Sequence, residues 1–176
     1  RIKARGIQYR STPHGPVDMQ ANTQHGGRIV YWNEPDGHVW EAQAMQTGGC
    51  FCGRIRYEAA GATFHETNCH CSICRRTTGA PFVTWFSVPR LQFKLVRGEP
   101  SRFKSTAKGV RSFCPQCGTQ LTFEHEDFAD EIDVTTCSLD DPNGSPPRDH
   151  TRASSKLNWV KLADGLPEYP ESRRAG

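Results

Sequence analysis

Long apolar runs are missing from these 176 residues, and so are runs of like charge. The first absence removes a transmembrane helix and the apolar core of a signal peptide. The second, in a chain of net charge +3, removes an extended basic or acidic patch of the kind that binds nucleic acid or a membrane surface. Hydrophobic residues make up only 35% of the chain and the mean hydropathy is −0.68, so the core is small. A small core often leans on metal staples. Helical signals are scarce as well: the one credible helical turn follows Cys71, where Ser72 caps Ile73–Thr77 before Gly79 and Pro81 stop it.

What the chain does have is cysteine. There are eight, none of them before Cys50, and seven fall into three tight clusters. Cys50 and Cys52 form C-x-C, Cys69, Cys71 and Cys74 form C-x-C-x-x-C, and Cys114 and Cys117 form a C-P-x-C-G knuckle. Thiols this close in sequence are poorly placed for the geometry of a disulfide and well placed to share an ion. The two pairs together make a closed four-sulfur zinc site, with Gly118 allowing the tight turn after Cys117. Its ion would join segments some sixty residues apart (about a 60-residue loop), a useful cross-link in a small protein. Local disulfides or reduced core cysteines are the plainer alternative. The triplet makes a site with one position open, and an open position on zinc is where chemistry happens. It could also be a second structural site closed by Cys137 or a histidine, or a metal-free redox trio. Clustered thiols without a secretory segment argue for a reducing compartment, and hence the cytoplasm.

The remainder is rich in β signals. Arg54–Glu58, Phe82–Val88, Leu91–Val96, Ser101–Thr106, Thr119–His125 and Glu131–Leu139 carry the alternating or continuous apolar patterns of strands. Residues 1–46 differ from the rest. Ile29–Trp32 and His38–Glu41 flank Glu34-Pro35-Asp36-Gly37, which predicts a β-hairpin appendage. Asp140–Pro147 reads as a loop, residues 171–176 as a frayed tail, and Cys137 as a buried strand cysteine. Around the triplet, His70 and His150 are candidate general acids, while His65 reads as a surface residue. Arg75, with Arg76 beside it, is a candidate clamp for a substrate carboxylate.

Several ordered motifs together resemble the glutathione-dependent formaldehyde-activating enzyme family. They are Gly49-Cys50-Phe51-Cys52-Gly53 with Ile55–Glu58; Cys69-His70-Cys71-x-x-Cys74-Arg75-Arg76 with Gly79–Phe82; and Phe113-Cys114-Pro115-Gln116-Cys117-Gly118-Thr119. Ser138–Pro142, His150, Ser154–Lys156, Trp159-Val160 and Asp164–Pro167 extend the likeness over residues 47–170. The resemblance implies a mostly β fold of the β-tent type, small sheets stapled by zinc. It implies structural ligands Cys50, Cys52, Cys114 and Cys117, catalytic ligands Cys69, Cys71 and Cys74, and two zinc ions per chain. It further implies a carbon–sulfur lyase acting on a small thiol–aldehyde adduct, S-hydroxymethylglutathione in equilibrium with glutathione and formaldehyde or a related pair. The alternatives are a non-catalytic interaction module of the same fold and a redox thiol switch. A second resemblance lies in the appendage: Tyr31–Glu41 is similar to the closing hairpin of a vicinal-oxygen-chelate (glyoxalase and bleomycin-resistance) domain, whose ligand glutamate maps onto Glu41. Starting at Arg1 rather than Met, the chain reads as the end of a longer fusion or an imprecise gene model.

Overall fold

The structure is a computed structural model and describes residues 8–11, 16–20, 29–33, 39–43 and 45–173. Within them lie twelve strands and one α-helix. Strands β1 (Ile29–Asn33) and β2 (Val39–Gln43) pair antiparallel as a separate two-stranded sheet, so the expected hairpin forms. Its Pro-Asp-Gly turn and the side chain of Glu41 lie outside the described residues.

A three-stranded sheet follows, in the order β3–β4–β7, from Gln46–Gly49, Arg56–Ala59 and Phe93–Arg97. The larger sheet has seven strands in the order β12–β5–β6–β11–β10–β9–β8. Their ranges are β5 Phe64–Cys69, β6 Val83–Pro89, β8 Ser101–Lys104, β9 Gly109–Phe113, β10 Gln120–His125, β11 Glu131–Thr135 and β12 His150–Thr151. The β12–β5 pair is parallel and the remaining pairs are antiparallel. Helix α1 (Ser72–Thr78) sits between β5 and β6. The chain is therefore mostly β, built of small sheets, as the sequence implied.

Strand alternation gives the seven-stranded sheet two unlike faces. Phe86 and Val88 of β6 and Ile132 and Val134 of β11 point one way. They meet Ile55, Tyr57, Ala59 and Phe93 from the three-stranded side in a core that also holds Leu121 and Leu139. Burying each large apolar side chain stabilises the fold by about 1.5–3 kcal/mol. Trp85, Ser87 and Asp133 alternate with these residues and point the other way, toward an open cavity. One face of the sheet makes the core and the other makes the wall of a site.

Four strands differ from the sequence expectation. β3, β5, β9 and β12 carry no clear strand pattern, because they are short, polar or contain glycine. Cys137 lies in a 3₁₀ turn over Thr136–Ser138 and is exposed, not a buried strand residue, because β11 ends at Thr135. Of the tail at 171–176, residues 174–176 lie outside the described residues, and 171–173 are docked: Glu171 pairs with Arg152, and Arg173 reaches Asp149 at 2.6 Å.

Candidate metal centres

Cys50 follows β3 and opens a tight turn in which Gly53 N–H donates to the Cys50 carbonyl at 2.9 Å. Cys114 follows β9 and opens a second turn, in which Gly118, at φ 75°, donates to the Cys114 carbonyl at 2.9 Å. A positive φ is strained for any residue with a Cβ, which is why glycine stands there. The two turns bring four sulfurs together. Cys50 and Cys52 Sγ lie 3.5 Å apart, Cys52 and Cys114 Sγ 3.8 Å, and all four Sγ fall within 4.8 Å of one another. Zinc–sulfur bonds of about 2.3 Å in a tetrahedron put sulfurs about 3.8 Å apart, so the spacing fits a tetrahedral ion. All eight cysteines are free thiols, which removes the disulfide alternative.

Local donors prepare two of these sulfurs, Cys50 and Cys117, to carry charge, while burial and the neighbouring sulfurs push Cys52 up. Ile55 N–H donates to Cys50 Sγ at 3.2 Å. The Thr119 hydroxyl beside Cys117, followed by the amides of Thr119 and Cys52, pulls the Cys117 thiol down to about 5. Cys50 and Cys114 are buried in the core cluster, with Cys117 packed against it. An ion held by this set would staple the sheets where the hydrophobic core ends.

The triplet is built differently. Cys69 closes β5, and Cys71 is the N-cap of α1: with φ −63° and ψ 151°, its Sγ accepts from Cys74 N–H at 3.3 Å. The cap is thus Cys71 and not Ser72, since the sulfur occupies the place a capping oxygen would take. Gly79 ends the helix at φ 69°, donating to the Arg75 carbonyl at 2.8 Å. Cys69 and Cys74 Sγ lie 3.7 Å apart, and all three sulfurs are within 4.8 Å of one another. Hydrogen bonds from Cys69, then from Cys74, pull the Cys71 thiol far down, while the Cys71 and Cys74 sulfurs, together with burial, push Cys69 up. Three sulfurs this close hold one negative charge easily. Three charges need a cation among them. The donor set and spacing fit a soft dication such as zinc.

Cys69, Cys71 and Cys74 line a cavity of about 520 Å³. Its wall is the second face of the seven-stranded sheet. A row of paired residues runs across it from Ser87 through Asp133 and Phe123 to Arg111. Trp85 and Phe128 add aromatic surface, and Glu131, His65 and His125 add polar groups. His65 is therefore a cavity residue, held at φ 54°. Arg111 is 4% exposed, its guanidinium 5.6 Å from the Trp85 ring centre and 4.7 Å from that of Phe123. Its Nη2 donates to Cys74 Sγ at 3.4 Å. Sequence reading missed Arg111, Asp133 and Glu131, which only the strand pairing brings to the cysteines.

The nominated acids and clamp sit elsewhere. His70 falls between Cys69 and Cys71, so when those side chains line the cavity the intervening one does not. It is fully buried, and its Nε2 meets His150 Nδ1 at 2.9 Å. His150 Nε2 meets Asp164 Oδ2 at 3.0 Å, and the Ser155 hydroxyl donates to the His70 carbonyl at 3.1 Å. Burial, followed by repulsion from His150, lowers the His70 pKa. Arg75 donates from Nη1 to the Ser155 carbonyl at 2.5 Å. Neither histidine lines the cavity, and nor does Arg75. Together they tie the cysteine loop to the segment after β12.

The sequence profile of the glutathione-dependent formaldehyde-activating enzyme family matches residues 45–155. The chain belongs to that family. A Halomonas elongata relative, named as a candidate enzyme of the same kind, is 26% identical over 124 residues, covering 65% of this chain and 79% of that protein. An uncharacterised lyase of Schizosaccharomyces pombe is 30% identical over 78 residues, 44% of this chain and 56% of that one. A crystal structure of a Rhodobacter sphaeroides protein superposes with a TM-score of 0.47 at 18% identity, over 70% of this chain and 98% of that one. The family match contains all seven clustered cysteines and leaves residues 1–44 outside it. No helix among the described residues is long and apolar enough to cross a membrane.

Proposed function

We propose that this chain is a zinc-dependent carbon–sulfur lyase that interconverts a small thiol–aldehyde adduct with its free thiol and aldehyde, S-hydroxymethylglutathione or a close relative. The observation that carries the reading is the contrast between the two clusters. The four-cysteine set ends the core and has a full complement of ligands, whereas the three-cysteine set opens onto a cavity of about 520 Å³. Family membership and the lyase-named relative support the reaction class.

Cys50, Cys52, Cys114 and Cys117 hold the structural ion, and Cys69, Cys71 and Cys74 hold the catalytic one. A zinc ion held by Cys69, Cys71 and Cys74 would lower the pKa of a thiol that entered the site. The chain's own residues do the rest. Trp85 and Phe123 exclude water from one side of the sulfurs, which strengthens every charge interaction there. In the cleavage direction the adduct's carbon–sulfur bond breaks, its sulfur leaves with the bonding pair, and its hydroxyl proton must go to a base. Asp133 is the base the geometry favours, being in the cavity wall with Oδ1 accepting from the Ser87 hydroxyl at 2.5 Å. In the reverse direction the same carboxyl returns the proton. His70 and His150 serve as positioning residues, fixing the loop that carries Cys69 and Cys71, and Arg75 anchors the helix to the segment behind it. Free thiols throughout the chain support the cytoplasm as its compartment.

The test is zinc per chain beside exchange between glutathione and formaldehyde, followed by line-broadening or exchange NMR. Wild type should hold two zinc ions and catalyse exchange. Cys71→Ser should hold one and lose catalysis. Full exchange activity in Cys71→Ser would sink the proposal.

A further inference from the structure

We propose that Arg111 is the counter-charge of the three-cysteine centre and positions Cys74 within it, so that the centre and Arg111 form one electrically neutral unit. The inference rests on the reading of the triplet as a dication site and extends it to a residue outside the ligand set.

A guanidinium is always charged and costly to bury without an anionic partner. Arg111 is 4% exposed, and no carboxylate pairs with it among the described residues. Its Nε and Nη1 are buried with no acceptor among the described residues, and its Nη2 is held by Cys74 Sγ at 3.4 Å. The nearest cavity carboxylate in the same row, Asp133, is separated from Arg111 by Phe123 across the strand pairing. The rings of Trp85 and Phe123 fix the guanidinium plane, but they do not neutralise a buried cation. The anionic groups in reach are the sulfurs. Three thiolates around a dication carry a net charge of about −1. One guanidinium brings the sum to zero. Its hydrogen bond also orients Cys74, as partners outside the ligand set commonly do.

A mere packing role does not account for an arginine at this position. A methionine would fill the space between two aromatic rings at no desolvation cost. An arginine there is intelligible only if negative charge lies beside it in the loaded protein.

The experiment is cobalt titration of the metal-free full chain under reducing conditions. Thiolate-to-cobalt charge-transfer absorption is read for wild type, Cys71→Ser, Arg111→Met, Arg111→Gln and Arg111→Lys. Wild type should take up two cobalt ions and Cys71→Ser one, which identifies the triplet's band. The neutral variants should bind the triplet's cobalt about 10- to 100-fold more weakly. They should also shift its charge-transfer band to lower energy, because the sulfur lone pairs lose a stabilising hydrogen bond and charge. Arg111→Lys should keep most of the affinity. The four-cysteine site is the internal control for folding, and either neutral variant that fills it suffices. Wild-type affinity and an unmoved band in the neutral variants overturn the role of Arg111 alone. Equal losses in the lysine and methionine variants also overturn it, since charge would then not matter. A wild type that takes one cobalt, unchanged in Cys71→Ser, overturns the triplet reading and the inference with it.

Discussion

Cys117→Ser isolates the stabilising effect of the four-cysteine set. Cys117 is half-buried at the surface of the core, and its sulfur sits 3.2 Å from the Thr119 hydroxyl, so serine costs little packing. What it would remove is one of four ligands to the proposed ion, which would join Cys52 to Cys114, 62 positions apart. By the loop-entropy relation used for covalent cross-links, a closure of this length is worth about 4 kcal/mol, an upper figure because three ligands remain. With a urea slope of about 2 kcal/mol per molar, the unfolding midpoint should fall by up to about 2 M at unchanged slope. Wild type treated with a strong chelator should lose at least as much, because binding to the folded state alone stabilises it by mass action. Urea unfolding followed by Trp fluorescence reads both. A Cys117→Ser midpoint within about 0.3 M of untreated wild type would refute the staple, since that is below what a partial ligand loss should give.

Other consequences are smaller or more local. Asp140 accepts from Arg56 Nη1 at 2.8 Å and from the Thr47 hydroxyl at 2.7 Å, and Arg56, followed by Thr47, holds its carboxyl below the ordinary range. This bridge stabilises the fold above the unfolded value of about 4 and is lost as the pH falls through the lower folded value. Because both partners are substantially exposed, Asp140→Asn should cost no more than about 1 kcal/mol at pH 7, with the gap to wild type closing in acid unfolding curves. Tyr57 is 1% exposed and its hydroxyl meets Ser138 Oγ at 2.7 Å; Tyr57→Phe should cost about 1 kcal/mol in urea unfolding. Gly79→Ala meets open space but must hold φ 69°, so it should lower stability by about 1 kcal/mol without removing either metal ion.

The metal clusters were legible because zinc constrains spacing so tightly that the ligands stand out one residue at a time. The strand at 82–88 was legible because apolar residues dominate it, and that at 119–125 because Leu121 and Phe123 alternate with polar residues. The cavity was not. β9 reads Gly109-Val110-Arg111-Ser112-Phe113, and the burial of its arginine and serine hides any strand signal. Arg111 looks like a solvated surface charge until β9 pairs with β10 and the row through Phe123 and Asp133 closes. His70 misled in the opposite direction. Its place between two ligands suggested the site, yet extended-chain alternation turns it away from the cavity and onto His150, a partner 80 positions along. Neighbouring positions in an extended chain are the least dependable guide to neighbouring positions in a site.

The two centres are not independent, and the link is short. β9 carries Arg111 on its cavity face and ends at Phe113, so the next residue is Cys114, a buried member of the four-cysteine set. Thr119 N and O belong to the same knuckle, where Cys114 N–H donates to the Thr119 carbonyl at 2.9 Å, and the chain re-enters as β10 with Phe123 facing Arg111. The four-cysteine turn therefore bounds the pairing of the two strands that hold the guanidinium over Cys74, with an irregularity between Gln120 and Thr122 on the way. A shift of one residue in that pairing would send Arg111 to the core face and Ser112 to the cavity. Loosening the closed site should consequently weaken metal retention at the triplet, although no cysteine is shared. Cobalt titration of Cys117→Ser, read at the triplet's own band, measures that coupling. A triplet affinity equal to wild type, in a protein whose four-cysteine site is empty, would show that sheet pairing alone holds the register.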